Sequence, residues 1–451
     1  MKFTSVNPYN GEEIASYTAL TTEELKSKIE EAEYAFPAWR ATSLEFRSEI
    51  MRKTATILEQ NAAEYARTIT LEMGKPITEA IAEINKCAWV CSYYADNAAG
   101  FLADTSIETD AQKSFVKHSP IGTVLAIMPW NFPFWQVFRF AVPTLLAGNT
   151  ALLKHASNVF GSANLIEAIL LKAGVPVGVF QNLIIHHDAT ETIMSHDSVQ
   201  AVSLTGSERA GSAVASIAGK HIKKSLLELG GNNAFIVWED ADLDAAVKTA
   251  LVARMLNCGQ SCIAAKRFIL MDGIYDEFVA KFTEGVKELK SGNPINADTQ
   301  VGPLARVDLA EELQKQVQES VNMGAKLLLG GKQNNAYHEP TILGDVQPGM
   351  PAFDEETFGP LAAMIRVKTI EEAFELASQS RFGLGLTVCT TNIEKAISYA
   401  DSVADGAYFI NELVKSDPRL PFGGTKKSGY GRELALDGML EFVNRKTVYV
   451  K

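Results

Sequence analysis

Cysteine is scarce in this chain, with five among 451 residues, at positions 87, 91, 258, 262 and 389. An odd, low count argues against a disulfide framework and for a reducing compartment, so a cytoplasmic setting is expected. Long apolar runs are missing as well, and none reaches the length that spans a bilayer. The first residues, Met1-Lys-Phe-Thr-Ser5, pass straight into Asn-Pro and Asn-Gly turn signals without an apolar secretory region. Basic residues are outnumbered: 42 Lys and Arg against 54 Asp and Glu leave a net charge of −12. That balance argues against a nucleic-acid surface, and an anionic small substrate would need locally placed Arg or Lys. Neither Cys-x3-Cys pair has His or Cys partners at zinc spacing, so no metal site is expected.

What is present points to an α/β enzyme. The length exceeds one ordinary core, so two or three domains are expected. Thr21-Thr-Glu-Glu24 is a capping box opening a helix with apolar positions at Leu25, Ile29, Ala32 and Phe36. Helical periodicity returns over residues 46–70 and 77–101; Cys87 and Cys91 fall in the latter, where packing is their expected role. Residues 112–118 read as a strand cut off by Pro120. Short apolar runs then follow at 123–128, 149–154, 183–185 and 201–204, with a helix over 162–172. Such alternation implies a parallel sheet with helices on both faces. After Gly230-Gly231, a plausible domain junction, a second α/β pattern begins. Its apolar runs lie at 234–237, 268–271, 326–329, 361–365 and 386–389, with helices over 275–290 and 309–322. The tail ends in a strand.

The stretch Met255-Leu-Asn-Cys-Gly-Gln-Ser-Cys262 carries two thiols four residues apart. Glycine ahead of a cysteine permits a tight turn and an accessible sulfur, and such a thiol can serve as a nucleophile. Taken alone, a pair of buried packing cysteines is the plainer reading. Thr205-Gly-Ser-Glu-Arg-Ala-Gly211, passing from strand to helix, offers backbone N–H groups to a phosphate. Its Gly-x4-Gly spacing fits neither G-x-G-x-x-G nor a Walker loop, so alone it is a weak signal beside an ordinary helix cap. Four further stretches stand out: Met128-Pro-Trp-Asn-Phe-Pro-Phe-Trp135, Glu228 before two glycines, Glu355-Glu-Thr-Phe-Gly-Pro360, and Pro421-Phe-Gly-Gly-Thr-Lys-Lys-Ser428.

In this order the stretches resemble the aldehyde dehydrogenase superfamily, from about residue 7 to the C-terminus. The matching motifs are Pro129-Trp-Asn-Phe-Pro133, Thr205-Gly-Ser207, Glu228-Leu-Gly-Gly231, Gly259-Gln-Ser-Cys262, Glu356-Thr-Phe-Gly-Pro360 and Pro421-Phe-Gly-Gly424. The resemblance implies a Rossmann-like cofactor domain (residues 1–101 and 121–230) and an α/β catalytic domain (231–432). It also implies a small β oligomerisation arm (102–120 and 433–451), hence a homodimer or homotetramer. It makes Cys262 the nucleophile and leaves Cys258 to packing, with a redox link between the two as the minor alternative. The residue chemistry fits: Asn131 and a backbone N–H would hold an oxyanion, and Glu228 would activate water for deacylation. The plainer role for Glu228 is a helix-end surface charge.

The family places Trp130 and Lys154 near the adenosine half of a nicotinamide cofactor and Ser207, beside Gly206, on the pyrophosphate. It places Glu356 on the nicotinamide ribose and Phe358 behind the ring. Four departures stand out. Ser157 occupies a position where NAD-preferring members often carry a glutamate, which leaves room for a 2′-phosphate; NADP is therefore expected, with NAD also accepted. His186-His187 replaces a common Pro-Gly loop, Asn232-Asn233-Ala234 replaces a Lys-Ser-Pro type, and Thr425-Lys426-Lys427 varies a loop with no assigned chemistry. Arg139, eight residues past Asn131, is spaced as two helical turns, so both would face one cavity. Succinic semialdehyde dehydrogenases are similar in carrying an arginine there. Arg139 is thus the expected partner of a substrate carboxylate, beside Trp135 and Ser416, with Lys415 and Arg419 as weaker candidates. An ordinary structural ion pair is its alternative. The activity implied is oxidation of succinic semialdehyde with NAD(P). Its rivals are another small or carboxylated aldehyde, a CoA-acylating dehydrogenase, a catalytically silent relative, and a Cys-His thiol hydrolase.

Overall fold

The computed structural model describes residues 2–451. A six-stranded sheet is built around the strand Thr123–Met128. Thr150–His155 and Phe180–Asn182 lie in parallel on one side of it; Val199–Thr205 and Lys224–Glu228 lie in parallel on the other. The short strand Gly429–Tyr430 pairs antiparallel with Lys224–Glu228 and closes that edge. The central strands are buried and read as unbroken apolar runs, as they must when helices cover both faces. Helices Leu44–Gln60, Ile77–Phe101, Trp135–Leu146 and Phe160–Ala173 enclose one core, and Thr22–Ala41 and Glu208–Lys220 the other.

The second sheet has seven strands in the order Lys326–Leu329, Thr341–Gly344, Leu361–Val367, Ala265–Met271, Asn233–Val237, Leu386–Cys389 and Tyr408–Ile410. All pairings are parallel except that of the edge strand Lys326–Leu329. A third, three-stranded antiparallel sheet joins Val443–Val450, Lys113–Pro120 and Thr105–Ser106. No helix among the described residues is long and apolar enough to cross a membrane.

The two large sheets meet through four residues. Glu228 ends the last parallel strand of the first sheet, and Asn233 begins a strand of the second. The middle two residues of this seam have no room for side chains. A Cβ on Gly230 would land on the Glu356 carboxylate, and one on Gly231 on the Cys262 carbonyl. The glycines therefore bring the ends of both sheets together.

Three local expectations are corrected, and a fourth is placed. The segment ending at Glu228 is a strand, so the carboxylate ends a buried strand rather than a helix. The third strand of the first sheet is Phe180–Asn182, ahead of residues 183–185; its polar Gln181 and Asn182 hid it from an apolar-run reading. Periodicity over 46–70 comes from two helices, Leu44–Gln60 and Ala62–Met73, broken at Asn61. The turn signals at the N-terminus belong to an antiparallel hairpin of Lys2–Val6 with Glu13–Thr18, with Gly11 at φ 78° in its loop.

Candidate active site

Cys262 stands on a loop whose backbone is unusual. Asn257, Cys258 and Gly259 are all left-handed, with φ of 55°, 52° and 75°. Two non-glycine residues in that region cost energy and persist only where surroundings hold them. Here the holding is explicit. Glu79 accepts the Asn257 N–H at 2.7 Å. The Asn257 amide donates to the Asn131 carbonyl at 2.8 Å and to the Gln260 carbonyl at 3.1 Å. Arg254 donates to the Gly259 carbonyl at 2.6 Å. Cys258 is fully buried, accepts the Gly302 N–H at 3.1 Å, and has its thiol pushed up to about 12 by burial. All five cysteines are free, and Cys262 alone is not fully enclosed.

Around Cys262, Asn131 and Glu228 are both placed by strand ends of the first sheet. Asn131 lies in the turn before the helix Trp135–Leu146, and its amide donates to the Gln260 carbonyl at 3.0 Å. Gln136 donates to the Asn131 side-chain oxygen at 3.1 Å, which fixes the amide's orientation. Nδ2 carries two hydrogens, so one remains for an oxyanion. Glu228 is buried and its Oε1 has no hydrogen-bond partner. Burial first, then the Glu433 charge, push its carboxyl well above the usual range, against the pull of Arg139 and Arg432. Burial likewise pushes the Cys262 thiol up to about 11; the Lys266 ammonium is the strongest influence in the other direction. Lys266 is buried and donates to the Cys262 carbonyl at 2.8 Å and to Glu356 Oε1 at 3.3 Å. Glu356 Oε1 also accepts the Gly231 N–H at 2.9 Å.

Two cavities end on Cys262, and Gln136 borders both. The first, about 340 Å³, is lined by Trp130, Asn131, Gly206, Ser207, Glu356 and Phe358. Trp130 meets Phe358 edge-on at 5.7 Å. Ser207 and Glu356 also border an open groove of about 1060 Å³ along the helix Glu208–Lys220. Ser207 caps that helix, accepting the Ala210 N–H at 3.3 Å. Trp130 and Ser207 follow the C-terminal ends of neighbouring parallel strands, and Lys154 lies at the C-terminal end of another. The connections diverge to either side between Thr123–Met128 and Val199–Thr205, the usual place for a ligand crevice in such sheets. Lys154 and the exposed Ser157 lie on this edge but outside the enclosed cavity. His186 and His187 are loop residues with rings 3.9 Å apart, and among the described residues no cluster suits a metal.

The second cavity, about 330 Å³, is lined by Trp135, Arg139, Ser416, Lys415, Lys86 and Phe422, among others. Here the sequence reading needs correction. Asn131 precedes the helix that carries Arg139, so the two do not share a helical face, and they border different cavities. The Arg139 fork is engaged at two of its three nitrogens. Its Nε lies 2.5 Å from Glu433, which is also buried, and its Nη2 donates to Thr205 at 3.3 Å. A buried guanidinium needs such a counter-charge, and Glu433 supplies it from sequence-distant chain. Lys415 pairs with Glu412 at 2.9 Å, and Arg419 pairs with Asp417 at 2.7 Å. Trp135 and Ser416 do meet, the indole N–H donating to the serine oxygen at 3.1 Å.

Gln136, Lys266, Arg254, Glu433 and Lys86 were missed by sequence reasoning. Gln136 and Lys266 lie within five residues of Asn131 and Cys262, and that proximity was the available signal. Glu433 and Lys86 offered none, because their partners are hundreds of residues away.

The Aldehyde dehydrogenase family model matches residues 1–448. A Synechocystis protein named probable NADP(+) succinate-semialdehyde dehydrogenase is 48% identical over 453 residues, covering all of both chains. The NADP(+) succinate-semialdehyde dehydrogenase 1 of Mycobacterium tuberculosis is 44% identical, again over both full lengths. Among solved structures, succinic semialdehyde dehydrogenase from Streptococcus pyogenes in complex with NADP+ superposes with a TM-score of 0.97 at 37% identity, covering 99% of each chain. Similarity this complete, over both sheets and the seam between them, leaves one conclusion: the chain belongs to the aldehyde dehydrogenase family.

Proposed function

We propose that this protein oxidises succinic semialdehyde to succinate with NADP, accepting NAD less well. The observation that carries the reading is that Cys262 closes two cavities at once, one lined by groups suited to a nicotinamide cofactor and one bearing cations. The cofactor groups fit on this structure's own terms. A capped helix N-terminus at Ser207 offers N–H groups to a pyrophosphate, and Trp130, Phe358 and Glu356 enclose the inner cavity. Ser157 and Lys154 present a hydroxyl and an ammonium, with no carboxylate, at the adenosine end. A bound nicotinamide supplies the acceptor for the hydride that leaves the aldehyde carbon.

The chain's residues do the rest. The Cys262 thiol loses its proton and the sulfur adds to the aldehyde carbon. Asn131 Nδ2 and a backbone N–H hold the resulting oxyanion. Once the carbon is oxidised, Cys262 carries a thioester. Glu228 takes a proton from water, which attacks the thioester and frees the acid and the thiol. The unpartnered Glu228 oxygen is the available acceptor for that proton.

The three units are a cofactor domain (1–101 and 121–230), a catalytic domain (231–432) and an arm (102–120 and 433–451). The short strand Gly429–Tyr430 reaches from the second into the sheet of the first. An exposed three-stranded arm is marginal alone, so the functional form is a dimer or a pair of dimers in the cytoplasm. Light scattering that gives an active monomer contradicts this. The substrate reading is tested by reduced-cofactor formation across an aldehyde panel, with and without CoA. Succinic semialdehyde should be turned over best and without CoA; a requirement for CoA, or no preference for the carboxylated aldehyde, overturns it.

A further inference from the structure

The first turns of the helix Ile77–Phe101 reach both halves of the catalytic centre. Glu79 and Glu83 lie one turn apart on it, so their carboxylates leave the same face. Glu79 Oε2 accepts the Asn257 N–H at 2.7 Å, at the first left-handed residue of the Cys262 loop. Glu83 Oε1 accepts the N–H groups of Phe134 and Trp135 at 2.9 and 3.0 Å, in the turn that follows Asn131. Those two N–H groups open the helix Trp135–Leu146, which has no capping side chain of its own. The Glu83 carboxylate caps it from another helix, and its charge suits the positive end of the helix dipole.

Lys75, just before the helix, completes the brace. It is fully buried, pairs with the other Glu83 oxygen, and sets its ammonium 3.8 Å from the centre of the Phe132 ring. The Asn131 turn is thereby held at Phe132, Phe134 and Trp135, and the Cys262 loop at Asn257, from one end of one helix. Where the two segments meet, the Asn257 amide donates to the Asn131 carbonyl at 2.8 Å, and Asn131 Nδ2 donates to the Gln260 carbonyl at 3.0 Å. An oxyanion donor is effective when it is in place before the charge develops, and a displacement of about 1 Å can cost on the order of a hundredfold in rate.

Resting on the thiol mechanism proposed above, we infer that Glu79 and Glu83 are positioning residues for the reaction. Glu79 sets the loop that presents the Cys262 sulfur, and Glu83, backed by Lys75, sets the turn that aims the Asn131 amide. Both act through backbone N–H groups and not on the reacting atoms. One helix end thus fixes the nucleophile and the oxyanion donor in a common frame.

The test separates the two halves, because alkylation of a thiol by iodoacetamide needs an accessible sulfur but no oxyanion donor. The rate of Cys262 alkylation, followed by mass, and kcat for aldehyde oxidation are compared in the full-length enzyme and in paired variants. One pair is Glu79→Gln and Glu79→Leu. The other is Lys75→Met/Glu83→Gln and Lys75→Met/Glu83→Leu, in which no buried charge is left alone. Glutamine keeps an oxygen that accepts an N–H, and leucine does not. Alkylation and kcat should both fall at least about tenfold from Glu79→Gln to Glu79→Leu. From Lys75→Met/Glu83→Gln to Lys75→Met/Glu83→Leu, kcat should fall at least about tenfold while alkylation keeps its rate. The KM for NADP should hold in both pairs. Where a leucine variant does not fold, alanine at the same position removes the acceptor with less bulk. Leucine variants that match their glutamine partners, or that lose only melting temperature, overturn the inference alone. Native enzyme that keeps its activity after Cys262 is alkylated overturns the thiol mechanism, and this inference with it.

Discussion

The two cavities that end on Cys262 are built by opposite means. The cofactor-side cavity collects short motifs: Pro129-Trp130 and Gly206-Ser207 after adjacent strands of the first sheet, and Glu356 and Phe358 from the loop before the strand Leu361–Val367 of the second. Each motif is continuous in sequence, and the strands beside it set its position. The other cavity is a wall of helix faces and a late loop. Lys86 and Ser416 touch across 330 residues, and Arg139 meets Glu433 across a similar span. One side is fixed by local chemistry and the other by tertiary packing. Perturbations should therefore separate the two sides, unless they strike the groups common to both.

The largest effects fall on those common groups. Cys262→Ala should abolish oxidation of every aldehyde while cofactor still binds, measured by turnover and by fluorescence titration. Glu228→Gln should allow hydride release once per site and then stall, seen as a burst of reduced cofactor without steady turnover. The pH profile follows the direction of the shift. A base must be ionised to act, and the Glu228 carboxyl is held well above the usual range. Deacylation should therefore rise with pH beyond the ordinary carboxylate range, and Glu228→Gln should remove that limb. Normal turnover by Glu228→Gln would show that another group is the base.

Next in size is Arg139, which lines the second cavity and whose charge reaches the proposed base Glu228. Arg139→Gln leaves Glu433 buried and unpaired, which typically costs about 3–5 kcal/mol. The melting temperature should drop accordingly. Arg139 also opposes the upward push on Glu228 and on Glu433. Without it both carboxyls hold protons more tightly, so the rising limb of the pH profile should move alkaline. Succinic semialdehyde and butanal should lose efficiency together through this effect on the base. A loss confined to succinic semialdehyde would return Arg139 to the role its position in the sequence suggested.

Ser157 probes the cofactor side alone. Ser157→Glu sets a carboxylate where a 2′-phosphate is to lie, and the kcat/KM ratio of NADP to NAD should fall by more than tenfold, about 1.4 kcal/mol. The ratio of succinic semialdehyde to butanal should not follow it. An unchanged cofactor ratio would remove Ser157 from the cofactor site.

The same division explains what could be read from the sequence. Strands such as Thr123–Met128 and Asn233–Val237 are buried on both faces, and their apolar runs announced them. Cys262, Asn131 and Glu228 sit beside glycines, prolines and tight turns, where few residue types are tolerated. Phe180–Asn182 was misplaced because three residues, two of them polar, carry no period. The free or paired state of a cation depends on which acids the fold brings near. Arg139 looked available only because Glu433 lies 294 positions away in the chain.

Cys258 offers the smallest effect and the sharpest contrast with Cys262. Both are thiols on one loop, but Cys258 borders neither cavity. Its sulfur faces Gly302, accepting the N–H at 3.1 Å and donating to the carbonyl at 3.5 Å. Serine keeps both hydrogen bonds and has nearly the same shape, and it tolerates the left-handed backbone about as well. Cys258→Ser should thus cost no more than about 1 kcal/mol, the usual net worth of one intramolecular hydrogen bond. Turnover of both aldehydes and the cofactor ratio should stay within about twofold, well under the 1.4 kcal/mol that marks a tenfold change. Alkylation by iodoacetamide should still inactivate this variant at the native rate, since Cys262 is the proposed nucleophile and the one cysteine that is not fully enclosed. Peroxide inactivation decides the remaining alternative, a disulfide between the two. A sulfur engaged with Gly302 and pushed up to about 12 is a poor resolving thiol. Reductant should therefore rescue peroxide-treated native enzyme and Cys258→Ser to the same extent; rescue of the native enzyme alone would establish the redox link.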